Sequence, residues 1–117
     1  MARVVAYVPD LLFGSNVLAQ LSAAGHAAVL VADLKTLRDS LPGAEAIVLD
    51  LTSDASERIQ HVRESRPPGV RVLAFYSHVE TDVRQLANRA GLDLVVPRSR
   101  MAREGGRLLD GLLTAQR

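Results

Sequence analysis

Five short runs of apolar, β-branched residues recur along this chain, and each is followed by a segment whose apolar residues fall at helical spacing. The central run, Glu45-Ala46-Ile47-Val48-Leu49-Asp50-Leu51-Thr52, can be buried on both faces and ends in a carboxylate and a hydroxyl. A run that can be buried on both sides suits the middle of a parallel sheet sandwiched between helices. Strict alternation of strand and helix implies right-handed crossovers and a three-layer α/β arrangement. Ligands of open α/β sheets bind outside the carboxyl ends of the strands. Asp50 is therefore expected at the lip of any site.

The first strand is expected over Arg3 to Val8, stopped by Pro9-Asp10, with Ser15 capping a helix that carries Val17, Leu18, Leu21 and Ala24 and ends at Gly25. Ala27 to Ala32 reads as the second strand. Asp33 then caps a short helix with Leu34, Leu37 and Leu41, closed by Pro42-Gly43. After the central run, Ser53 or Asp54 is expected to cap a helix whose buried stripe is Ala55, Ile59 and Val62, ended by Arg66-Pro67-Pro68-Gly69. Val70 to Phe75 is the fourth strand, with Tyr76-Ser77-His78 at its carboxyl end and Val79, Val83, Leu86 and Ala90 lining the next helix. Asp93 to Val96 is the fifth, and Pro97-Arg98-Ser99 leads out of it. The last helix carries Met101, Leu108, Leu109, Leu112 and Leu113. Gly105-Gly106 cost it about 1 kcal/mol each relative to alanine, which predicts a frayed or bent start. With no repeat and no linker, residues 1–117 read as a single domain.

Bulk chemistry narrows the function classes. Aromatic residues make up 3% of the chain, so its 48% hydrophobic content is carried by aliphatic side chains, the filling of a helix-covered sheet. A net charge of +1, from 14 basic and 13 acidic residues, gives no electrostatic case for nucleic acid. The absence of cysteine removes disulfides, thiolate metal sites and cysteine nucleophiles. No apolar run is long enough to span a bilayer, and Pro9-Asp10 break the amino-terminal run, so no membrane association and a cytoplasmic location are expected.

On Ile47-Val48-Leu49-Asp50-Leu51, Val72-Leu73-Ala74-Phe75-Tyr76-Ser77-His78 and Ala90-Gly91-Leu92-Asp93, the chain resembles the receiver domains of bacterial two-component response regulators, the CheY-like family. The resemblance implies a flavodoxin-like (βα)₅ fold with strand order 2-1-3-4-5, and it puts Asp50 at the phosphoacceptor position. It also implies a signalling partner or a histidine kinase, and a signalling face built from the fourth helix, fifth strand and fifth helix, whose mixed charges suit either a homodimer or plain solvated surface. Here that face would carry Arg84, Asn88 and Arg89 beside Arg103, Arg107 and Asp110. Several site positions depart from the family. Val8 and Pro9 stand where receivers carry the paired acids that hold Mg²⁺, with Asp10 next to them; Tyr76, or Ser77 with a one-residue shift, stands for the Thr or Ser that contacts the phosphoryl group; and Arg98-Ser99 stands for a Lys-Pro pair. The loop after Asp50 is shortened.

Three functions follow as expectations. The first is a stand-alone pseudo-receiver that acts by protein–protein contact, is not an enzyme and needs no cofactor, with Arg98 placed to neutralise Asp50. The second is a phosphoacceptor that uses Asp50 with a weak Mg²⁺ site helped by Asp10. The third is an anion-binding module in which Ser77, His78, Arg98 and Ser99 emerge on one sheet edge, since guanidinium groups make forked bonds to phosphate or carboxylate. No metal ligand set and no catalytic residue is expected: His26 and His61 lie in separate segments, and Ser77, His78 and Asp50 lack a nucleophile elbow.

Overall fold

The computed structural model describes residues 2–77 and 81–115. The elements run β1 (Arg3–Tyr7), α1 (Leu11–Ala23), β2 (Ala27–Val31), α2 (Leu34–Ser40), β3 (Ala46–Asp50), α3 (Ala55–Ser65), β4 (Arg71–Tyr76), α4 (Thr81–Arg89), β5 (Leu94–Pro97) and α5 (Arg98–Thr114). The strands form one parallel sheet of order β2-β1-β3-β4-β5. Every residue of β3, the middle strand, is buried, as its unbroken apolar run requires. Its register sets Asp50 opposite Phe75, while Tyr76 on β4 lies opposite Pro97 on β5.

Side chains alternate across a strand, so the sheet sorts the core into two layers. Val4, Ala6, Val8, Ala46, Val48, Leu73, Phe75 and Val96 pack against Val17 and Leu21 of α1 and Met101 and Leu109 of α5. Val5, Tyr7, Ile47, Leu49, Val72, Ala74 and Tyr76 pack against Leu37, Ile59, Val62 and Ala87 from α2, α3 and α4. Each fully buried aliphatic side chain stabilises the fold by about 1.5–3 kcal/mol. No described helix is long and apolar enough to cross a membrane.

Local chemistry moves several boundaries. Asp10, not Ser15, caps α1: its carboxylate accepts from the amides of Leu12 and Phe13, whereas the Ser15 hydroxyl donates back to the Leu11 carbonyl inside the helix. Asp33 caps α2 as expected, accepting from the Thr36 amide, and that bond holds its carboxyl below the usual aspartate value. In α4 the buried position is Ala87, while Leu86 is exposed and Val79 lies outside the described residues. Strand β5 runs on through Pro97, which is tolerated at the end of an edge strand. Arg98 is therefore the first residue of α5 rather than part of a loop.

Helix α5 runs unbroken through Gly105 and Gly106, against the expected fraying. Both glycines are buried where α5 meets α1. A Cβ on Gly106 would lie 2.7 Å from the Gln20 carbonyl oxygen and 3.0 Å from the Ala24 Cβ. The Gln20 amide also donates to the Met101 carbonyl at 3.0 Å and to that of Ala102. The propensity cost of two glycines is offset by a helix contact that no larger residue permits.

Candidate functional site

At the carboxyl end of β3, Asp50 is only 2% exposed. Its Oδ1 accepts from the backbone N–H of Thr52 at 2.7 Å and from the Thr52 hydroxyl at 2.5 Å, a local turn that closes the chain on itself. Its Oδ2 lies 3.5 Å from Nη1 of Arg58. Arg58 is 7% exposed, on the first turn of α3. Helical side chains lean toward the helix amino terminus, so this guanidinium reaches back to the strand end. There Nη1 donates to the Asp50 carbonyl at 2.9 Å and Nη2 to the Ser53 hydroxyl at 3.1 Å, with the Asp54 carboxylate 3.9 Å away. The Tyr7 ring lies beneath, 5.9 Å from the guanidinium carbon. Two charges taken out of water cost several kcal/mol each unless every donor and acceptor is met. Here no buried side-chain nitrogen or oxygen among the described residues lacks a partner.

The expectation that Arg98 neutralises Asp50 is corrected. Arg98 lies over the Phe13 ring, 4.5 Å from its centroid, and its Nη2 is 4.0 Å from Oδ2 of Asp10. Beginning α5 at Arg98 turns that side chain toward the exposed first turn of α1, and the position beside Asp50 belongs to Arg58. Asp10 is committed to capping α1. Tyr76 is buried in the layer under α2, α3 and α4. Ser77, Arg98 and Ser99 do meet, with Phe13 and Ala102, around an open hollow of about 370 Å³. Asp50, Asp10 and Tyr76 do not line it, and His78 lies outside the described residues.

Arg58 was missed because a charged residue on a first helical turn reads as solvated. The signal was present: Arg58 falls on the buried stripe Ala55, Ile59, Val62, at i+3 from the first and i−4 from the last. A part-buried polar contact sits next to it, where the Tyr7 hydroxyl meets Nδ1 of His61 at 2.9 Å with the rings stacked. Burial lifts the Tyr7 phenol above its ordinary pKa, and the Arg58 guanidinium pulls the other way.

The expected α4–β5–α5 charge patch is divided in space. Arg103 and Arg107 flank Gln20, Ala23 and Ala24 of α1, and Arg107 pairs with Glu104. Asp110 accepts from His26 Nε2 at 2.5 Å, at the amino end of the sheet. There the two residues help line a concavity of about 810 Å³. The His26 Nδ1 accepts from the Ala2 amide at 3.1 Å, so both ring nitrogens are taken and the imidazole is a structural bridge. Among the described residues no three His, Cys, Asp or Glu side chains gather as a metal set.

No family model matches the sequence, and no curated protein matches it. Solved structures do. A response regulator receiver protein from Burkholderia phymatum superposes with a TM-score of 0.81 at 21% identity, over 97% of this chain and 96% of that one. The fold is that of a receiver domain. A receiver domain protein from Clostridium thermocellum gives 0.82 at 12% identity, over 99% and 97% of the two chains. A CheY-like receiver domain protein from Methanospirillum hungatei gives 0.82 at 12%, over 99% and 96%. The likeness is one of fold, and at the carboxyl end of β3 this chain places a carboxylate beside a buried arginine.

Proposed function

We propose that this chain is a receiver-like signalling module that acts through protein–protein contact, without Mg²⁺-dependent phosphorylation of Asp50. One observation carries the reading: both carboxylate oxygens of the buried Asp50 face partners of the chain's own, Thr52 on one side and Arg58 on the other. Phosphoryl transfer to a carboxylate needs a free oxygen to attack and a cation that neutralises the incoming group. Mg²⁺ demands several oxygen ligands in near-octahedral geometry. Val8 and Pro9 offer no side-chain oxygen, and Asp10 is bound to helix amides. The residues present do not fit the ion.

The contact surface is best sought on the first turn of α1. Leu11 is 74% exposed and Leu12 88%, beside Phe13 and the half-exposed Arg98. Two adjacent leucines in water are an unused apolar surface, suited to a signalling protein or kinase that presents apolar groups. Incubation with a small phosphodonor and Mg²⁺, followed by intact mass measurement, should show no adduct. A phosphoryl adduct that disappears in Asp50→Asn would establish the phosphoacceptor reading instead.

A further inference from the structure

The β3–α3 loop, residues 51–54, is closed from both sides by charged groups that also hold each other. From the strand, Asp50 binds the amide and hydroxyl of Thr52. From the helix, Arg58 binds the Asp50 carbonyl and the Ser53 hydroxyl. Between these anchors stands Asp54, at φ 49° and ψ 39°, the one non-glycine residue with positive φ among those described. Its side chain makes no capping bond in return for that conformation. Aspartate enters the left-handed region more readily than most residues, and here that conformation joins the closed loop to α3.

The guanidinium of Arg58 is buried, and the two carboxylates near it differ in kind. Asp50 is buried with it, whereas the Asp54 side chain is exposed to solvent at 3.9 Å. A buried cation that loses its buried partner is strongly destabilised where it stands. The long arginine stem offers relief, because rotation outward past Asp54 returns the charge to water. That rotation breaks the bonds to the Asp50 carbonyl and Ser53, and frees Asp54 to leave the left-handed region.

We infer that Asp50 and Arg58 form a charge-operated latch: the β3–α3 loop is closed while Asp50 is negative and opens when that charge is removed. This deepens the reading of Asp50 as an unphosphorylated, internally paired carboxylate, by naming what the pair controls. The signal-bearing change would then be at the start of α3, at the exposed Asp54 that precedes it and Glu57 in its first turn.

Amide hydrogen exchange by NMR on the whole chain tests it. Asp50→Asn keeps an acceptor for Thr52, removes the charge and replaces the oxygen facing Arg58 with an amide N–H. The amide of Thr52, held by Asp50, and that of Arg58, held by the Asp54 carbonyl, should then exchange at least about tenfold faster, with those of β1 and β4 unchanged as internal reference. Arg58→Lys keeps the charge beside Asp50 and loses the two-pronged grip, so it should accelerate the same amides. If Asp50→Asn does not fold, Asp50→Ser supplies the uncharged side chain at that position. Unchanged loop exchange in a folded variant, or acceleration spread evenly over the strands, overturns the latch. The phosphodonor experiment reads intact mass on the wild-type chain, so failure of either inference is distinguishable from failure of the other.

Discussion

Arg58 sets what Asp50 can do. Truncating it to methionine fills similar volume and leaves the Asp50 carboxylate buried with Thr52 alone. The expected loss is about 3 kcal/mol of folding stability, measured by urea unfolding. A loss within about 0.5 kcal/mol, the range of ordinary surface substitutions, would mean that the pair is not desolvated as described. Tyr7, on the other side of the same guanidinium, yields a pH prediction. Burial raises its phenol, so the folded state holds that proton more tightly than the unfolded chain does. The resulting stability is fully present below the unfolded value, about 10, and is lost as pH rises through the folded one. Tyr7→Phe removes the group, so its unfolding midpoint should decline less steeply above that pH than the wild type's.

At the scale of the element, α5 holds two kinds of glycine, and the structure assigns opposite signs to their replacement. Gly106 meets the backbone of α1, so Gly106→Ala must push the helices apart and should cost about 1–3 kcal/mol. Gly111 is exposed with nothing within 4 Å of an added Cβ. Gly111→Ala should therefore gain about 0.5–1 kcal/mol through helix propensity alone. Thermal or urea melts of the two variants check the pair together. Equal effects would mean that α1 and α5 are not in backbone contact at Gly106. Sequence reasoning weighed Gly105-Gly106 by propensity and expected fraying; the tertiary contact reversed the outcome.

For the whole molecule, the alternation of periods was sufficient to place the strands, the helices and the lip at which Asp50 lies. What it could not supply was distance between segments. Arg98 and Arg58 are both arginines near a strand end, and only the geometry decides which reaches Asp50: one opens a helix on the α1 side, the other leans back along α3. The same limit applies to Asp110 and Arg103, both on α5: one bridges to His26, the other flanks Gln20, Ala23 and Ala24 of α1. A measurement on the intact chain follows. Mg²⁺ should leave the melting temperature unchanged, because an ion that bound would add about 2.7 kcal/mol at 100 times its dissociation constant. Inorganic phosphate is the parallel probe of the hollow between Ser77, Arg98 and Ser99, and a shift with phosphate alone would favour anion binding there.

The contact of Gly106 with Gln20 and Ala24 reaches beyond stability. Helices packed this closely at Gly106 leave little room to slide or roll past one another, which ties the carboxyl half of α1 to α5. The exposed leucines are at one end of α1, and the bridge from Asp110 through His26 to Ala2 is near the other. A partner that covers Leu11 and Leu12 would therefore meet a helix whose far half is already anchored, so its binding should leave the spacing of α1 and α5 unchanged.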